Sequence, residues 1–573
     1  MTFLTTLTYN DKTVTLVPGK MTFFEELYVD YKIESKLNSS RIQLMIHPKE
    51  QIVLKALKLV RKRSFASEEK VFCNGFQSWS ESREYSLKEK IPSLKNFARP
   101  YLKYYGDAYF DFIKRGKGYF HSWTYGYIKK GKKIDFVGSL TESTAFTLIQ
   151  YDTRLGEICI EKECDGLVLE HSFPILDIFI AEGNESWVFN EYFNAMGLSP
   201  PKVPPLTGWT SSYNYSSNIS EEIILKNAAA FVAKEIPIDS IHIDEGYQRY
   251  IGDWLNIKDT FPNGMAHVAR QIKSKGFKAG IWVAPFVCET KSDIFQHKKH
   301  WLVKGQSGKL IRAGYNPRWG GWFYALDYYQ KEVQDYLLGV FKTVFEKWGY
   351  DLVKLDFLYV ACIQPPPNKT RGQMMNEALQ FLRTTIGNNM ILASGVPLGS
   401  AFGKVDYCRI GTDINLKWEN SFFKFLSHRE RISSILALRS TLGRWQLNGK
   451  FFHSDPGVIL LRDSNIRLSP AQQFTILIIN TLLGNLLFTT DFVGDYSDEQ
   501  WAEFLNIYHW RNSEIKAVEA QGNDIYLIRF RKENRNWVCV CNLTGKETRV
   551  LIGKLAILLE AFESMVLEDG VSV

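Results

Sequence analysis

From Leu206 onward the sequence repeats one pattern: a short apolar run followed by a longer stretch with apolar residues at helical spacing. The short runs are LTGW, SIHID, AGIWVAP, LVKLD, MILASG, YCRIG, FFHSD and LLFTT. Between them lie EEIILKNAAAFVAKE, GMAHVARQIKSKG and KEVQDYLLGVFKTVFEKWG, whose apolar positions recur every three to four residues as an amphipathic helix requires. Gly276 and Gly349 stand where helix C-terminal caps belong. Eight strands alternating with helices predict a (β/α)8 TIM barrel, in which functional side chains gather at the C-terminal ends of the strands.

The flanking sequence has a different rhythm. Up to about residue 195, short β-rich runs such as KTVTLV, RIQLMIH, FTLIQY and EICIEK alternate with Gly, Asn, Asp and Ser turns, as in a large β-sandwich. The stretch SPPKVPPL, residues 199–206, holds four prolines that oppose both helix and central strand. Beyond about residue 515, DIYLIRFR, NWVCVCNL and TRVLI return to strand character. The expected architecture is multidomain, α/β plus β: an N-terminal sandwich over 1–198, a catalytic barrel over 199–514 and a small C-terminal antiparallel β domain over 515–573. A chain of 573 residues exceeds one core and divides naturally in this way.

Composition narrows the possible partners. The 70 basic and 62 acidic residues are interspersed and form no basic block, so nucleic acid is not an expected partner. No apolar run reaches the ~18 residues needed to span a membrane, so no membrane partner is expected either. The N-terminal segment MTFLTTLTYNDKTVTLV lacks a basic n-region followed by an apolar stretch. The eight cysteines form no CxxC pairs. A reduced, cytoplasmic enzyme without metal or organic cofactor is the expectation, and the oligomeric state is not legible.

Most of the expected strand ends carry polar or aromatic groups: Asp244 and Glu245, Trp282, Lys354 and Asp356, Arg409 and Asp413, and Asp455. Two of the carboxylates stand out, Asp356 in LVKLDF and Asp413 in YCRIGTDI. A retaining glycosidase needs such a pair, one as nucleophile and one as proton donor. Residues two apart on a strand share a face, so Lys354 and Asp356 point the same way. An ammonium there is expected to keep Asp356 ionised, whereas Asp413 is expected to carry a raised pKa. The two carboxyls of a retaining pair lie roughly 5–5.5 Å apart.

Several segments resemble glycoside hydrolase family 36, the α-galactosidase family, and in particular its shorter bacterial members. They are NGFQSWS at 74–80, TGW at 207–209, HIDEGYQRYIGDWL at 242–255, GIWVAPF at 280–286, VKLDFLYV at 353–360, RIGTD at 409–413 and SDP at 454–456. The resemblance implies a hydrolase of terminal α-D-galactosides working through a covalent glycosyl-enzyme, with Asp356 as nucleophile and Asp413 as general acid, then base. It implies that Asp244 grips sugar hydroxyls, that Trp282 walls the pocket, and that Lys354 and Arg409 hold ring hydroxyls. Trp209 joins this substrate-binding set. In the relatives the loop matching NGFQSWS reaches over the barrel mouth, which brings Phe76 or Trp79 into the expected contacts.

The chain departs from the family at Glu245, where most relatives carry a second aspartate. The extra methylene moves the carboxylate about one C–C bond into the space of a galactose hydroxymethyl group. A sugar lacking C6, β-L-arabinopyranose, is therefore an alternative substrate, unless Glu245 rotates aside. Ser394, in ILASGVPLG, stands where some relatives hold Cys near the sugar 2-position, so α-N-acetylgalactosaminide is a further alternative. A carbohydrate-binding pseudoenzyme is the rival of another class, although both carboxylates are present.

Overall fold

The structure is a computed structural model that describes residues 3–522, 524–553 and 555–569. The repeat from Leu206 folds into parallel strands: β1 (Leu206–Thr210), β2 (Ser240–Ile243), β3 (Lys278–Val283), β4 (Leu352–Leu355), β5 (Met390–Ala393), β6 (Tyr407–Arg409), β7 (His453–Asp455) and β8 (Leu486–Thr489). Each pairs in parallel with its sequence neighbour from β1 through β7. The strand β8 pairs with β1. Just beyond β7 the chain bends, and Val458–Ile459 pairs with β8. This nine-stranded parallel sheet fits a TIM barrel. Nearly every strand residue is buried, as a sheet covered on both faces demands.

The helices form for legible reasons. In Glu221–Ala233 the Ser220 side chain accepts from the Ile223 amide at the N-terminus, and Ile224, Ala228 and Phe231 are buried along one face. In Met265–Ser274 the buried set Met265, Val268, Ala269 and Ile272 has the same spacing. Gly276 and Gly349 adopt φ of +89° and +78°, left-handed values that a side chain disfavours and a helix stop exploits. At Gly208 a Cβ would lie 2.3 Å from the Ser240 carbonyl oxygen, so only glycine lets β1 approach β2 this closely.

Antiparallel sheets surround the parallel one. The N-terminal residues form a seven-stranded and an eight-stranded sheet. Their facing sides share one core, with Leu57, Leu59 and Ile160 from one meeting Ile42, Leu44 and Ile178 from the other. Near the C-terminus, Glu514–Ala520, Ile525–Lys532, Arg535–Asn542 and Ser564–Glu568 pair in a four-stranded sheet. Among the described residues no helix is long and apolar enough to cross a membrane.

One element was not expected. Between β3 and β4 the chain makes a three-stranded antiparallel sheet from Val287–Glu289, Arg312–Asn316 and Gly321–Ala325. The turn of its outer hairpin, Pro317–Trp319, reaches the C-terminal ends of the barrel strands.

Candidate active site

A cavity of about 610 Å³ opens at the C-terminal ends of the barrel strands. Among its lining residues are Asp244, Glu245, Trp282, Lys354, Asp356 and Asp413. Trp79 also reaches it. Seven of the ten expected site residues thus meet in one space, although they come from five separate stretches of sequence.

Asp356 follows β4 and is gripped from two sides. The Trp282 indole N–H donates to its Oδ2 at 3.0 Å, and the Phe357 amide donates to Oδ1 at 3.1 Å. Phe357 itself adopts a left-handed backbone, φ +54°, which turns the chain sharply after the carboxylate. Lys354 favours the ionised form of Asp356, as expected, but it does not act alone. Burial raises the Asp356 carboxyl above its usual range, and the lysine only partly opposes this. The physical reason is the lysine's placement: Nζ lies 2.9 Å from Asp244 Oδ2 but 3.9 Å from Asp356 Oδ2. Asp244 is the lysine's main partner, and despite burial its carboxyl is held well below the usual range by Lys354 and by His242.

Asp413 follows β6 in a partly open position. The Arg409 guanidinium contacts its Oδ1 and also donates through Nε to Asp455 Oδ2 at 2.8 Å. Tyr213 completes this corner, its hydroxyl accepting from the same arginine at 3.5 Å. Arg409 is therefore an anchor behind Asp413, buried beneath the cavity wall.

Glu245 is held at the cavity wall. Its Oε1 accepts a 2.7 Å bond from the indole N–H of Trp319, on the unexpected hairpin. Burial, with Asp244 adding to it, raises the Glu245 carboxyl. Trp79 donates from its indole to Ser394 Oγ at 2.9 Å and packs edge-on against Phe357. The loop carrying it is pinned to the barrel by the fully buried Arg444, which donates to Asn74 Oδ1, to the Ser78 carbonyl and to the Ile410 carbonyl.

Three expected contacts are corrected: Arg409 does not line the cavity and backs Asp413 instead of meeting ring hydroxyls, and two aromatic residues turn away. Phe76 faces away from the cavity into an aromatic cluster with Phe110, Trp123 and Phe146, at ring distances of 4.7, 5.1 and 5.5 Å. Trp209 is wholly buried inside the barrel, its indole donating to the Asp491 carbonyl at 3.1 Å. Phe76 lies in an irregular loop where no strand alternation fixes its direction, and Trp209 is enclosed by packing at the end of β1. Tyr213 and Trp319 were missed because neither sits at a strand end. Among the described residues no group of three or more His, Cys, Asp or Glu could hold a metal ion.

Two carboxylates at strand ends, each fixed by neighbouring donors and facing one cavity, suit cleavage of a glycosidic bond. Comparison with known proteins agrees at the level of the barrel. The model of the glycosyl hydrolases family 31 TIM-barrel domain matches residues 200–510. The chain belongs to this glycosyl hydrolase family. Segments of this glycosyl hydrolase also match curated proteins: the α-galactosidase of Escherichia coli, 28% identical over 131 residues, and α-galactosidase AgaA of Geobacillus stearothermophilus, 25% identical over 158 residues. These matches cover 22% and 26% of the chain and only 18% and 20% of the relatives' length. Among solved structures, the α-galactosidase TtGalA of Thermus thermophilus in complex with p-nitrophenyl α-D-galactopyranoside superposes with a TM-score of 0.71 at 23% identity. That superposition covers 90% of this chain and 98% of the other. The family 36 α-galactosidase AgaA superposes at 0.64 with 10% identity, over 98% and 88% of the two chains.

Proposed function

We propose that this glycosyl hydrolase is a retaining exo-α-galactosidase of the family 36 type, acting on terminal α-D-galactosides. The observation that carries the reading is the shared cavity of Asp356 and Asp413, with Asp356 held by Trp282 and Asp413 backed by Arg409. Asp356 attacks the anomeric carbon while Asp413 protonates the leaving oxygen. Water then releases the sugar from the covalent intermediate, with Asp413 acting as base. The Asp244–Lys354 pair presents one acceptor and one donor group to ring hydroxyls, and Trp79 and Trp282 wall the sugar. Asp356 supplies the nucleophile and Asp413 the proton transfers, so this chemistry calls for no cofactor. In this reading residues 1–198 lend the Trp79 loop, 199–514 the catalytic barrel, and 515–573 a supporting β domain.

A second reading, β-L-arabinopyranosidase, is favoured by one observation: the Trp319 indole fastens Glu245 within the cavity wall. A fixed glutamate keeps its extra methylene where a C6 hydroxymethyl group would need room. The discriminating experiment measures kcat/KM on p-nitrophenyl α-D-galactopyranoside and p-nitrophenyl β-L-arabinopyranoside, with Asp356→Ala as control. Faster galactoside cleavage that vanishes in the variant supports the first reading. Faster arabinoside cleavage, reversed in Glu245→Asp, supports the second, and activity on neither overturns both.

A further inference from the structure

The cavity is two-sided. Its inner end, at the strand ends, is charged, whereas its outer wall carries an apolar stretch. There Leu102, Tyr105, Tyr315, Leu416, Phe423 and Ile432 converge from three separate places: the helical turns after the Trp79 loop, the hairpin between β3 and β4, and the segment after β6. Several polar groups of this wall are engaged with the protein itself. Tyr105 donates its hydroxyl to the Tyr315 carbonyl at 2.8 Å. Asn420 accepts from the Phe423 amide at 3.3 Å, and Asn415 donates to the Ile432 carbonyl at 3.1 Å. Arg431 is forked onto Glu419 with bonds of 2.9 and 2.7 Å. The His428 imidazole is pushed down to about 3 by burial and so adds a neutral ring.

The apolar wall continues out of the cavity. Tyr101 stacks on Trp322 at 5.4 Å and meets Tyr315 edge-on at 5.3 Å, and Phe422 lies 5.3 Å from Phe423. Phe97, Tyr101, Phe422, Phe425 and Ile432 remain 46% to 66% exposed. Large apolar side chains clustered at a cavity mouth leave a hydration cost that binding can relieve. Aliphatic groups such as Leu416 and Ile432 offer no hydrogen bond to the hydroxyls of a second sugar.

We propose that this outer wall is an aglycone subsite for an apolar group, an alkyl chain or an aromatic ring linked through oxygen to the sugar; the inference rests on the α-galactoside reading. Cleavage breaks the bond between the anomeric carbon and the aglycone oxygen. That oxygen takes the proton of Asp413 and leaves as an alcohol or phenol, and water returns a hydroxyl to the sugar and a proton to Asp413.

The test compares kcat/KM for methyl and octyl α-D-galactopyranoside, the latter below its micelle-forming concentration, together with raffinose. The two alkyl alcohols have near-equal acidity, so their ratio reports aglycone contact. Burying even two or three methylenes gives an octyl preference of about tenfold or more. That preference collapses towards one in the double variant Leu416→Asn, Ile432→Asn, whose two sites are partly exposed and whose melting curve checks the fold. A wild-type ratio near one, or raffinose cleaved better than the octyl glycoside, overturns the proposal. Such a result alongside good cleavage of p-nitrophenyl α-D-galactopyranoside overturns the subsite alone, whereas cleavage of none of the four overturns the galactoside reading with it.

Discussion

Replacing Lys354 by methionine deletes one charge and keeps most of the side chain's bulk. Its Nζ lies 2.9 Å from Asp244 and 3.9 Å from Asp356. At an effective dielectric of about 20, unit charges at these distances attract by about 4–6 kcal/mol. For the fold, Asp244 becomes a buried carboxylate without its cation. Breaking a buried pair from one side costs roughly 3–5 kcal/mol, which a urea midpoint reads directly. For catalysis, Asp356 already has a raised pKa from burial, and Lys354 is the largest influence holding it down. Without the lysine the carboxyl rises further, because the charge that favours its ionised form is gone. The nucleophile works only when ionised, and kcat/KM reports the free enzyme. The acid limb of kcat/KM on p-nitrophenyl α-D-galactopyranoside therefore moves to higher pH in Lys354→Met. A limb that stays in place, or moves to lower pH, refutes the assignment of Lys354 as the charge that tunes Asp356.

Other consequences follow from the same geometry. The Glu289 carboxyl is pushed up to about 7 by burial, with Lys291 opposing and Glu245 adding to the shift. The folded protein then holds this proton more tightly than the unfolded chain. Stability falls as pH rises from the ordinary carboxylate range through about 7, and Glu289→Gln removes that slope. A variant with the wild-type slope contradicts this. In Asp413→Ala, kcat/KM falls by about 10²–10⁴-fold for methyl α-D-galactoside but far less for a dinitrophenyl galactoside, which needs no proton to leave. Equal losses exclude Asp413 as the acid. Trp319→Phe frees Glu245 from its 2.7 Å anchor and shifts the galactoside to arabinopyranoside ratio towards galactoside by about tenfold, the value of one hydrogen bond to a charged group. An unchanged ratio removes Glu245 from sugar choice.

The barrel strands and the helices between them are written locally. LVKL is apolar at every position except one lysine, and Met265, Val268, Ala269 and Ile272 recur at helical spacing, so period and burial coincide. The same locality placed Asp244, Lys354, Asp356 and Asp413 at strand ends, because a strand of known register dictates where its last side chain points. Contacts between distant segments have no such local signature. That Lys354 prefers Asp244, 110 residues away, over the aspartate two residues along its own chain depends on the stagger between β2 and β4. That Trp79 enters the cavity while Phe76 turns into the core depends on how Arg444 pins an irregular loop. The hold of Trp319 on Glu245 depends on a hairpin inserted between β3 and β4. The sequence by itself determined where the barrel strands fall and that Asp244, Glu245, Asp356 and Asp413 stand at their ends, since periodicity and alternation are properties of a few neighbouring residues. Only the tertiary structure decided which charges pair and which rings face the ligand, since these depend on distances between elements that the chain order does not encode.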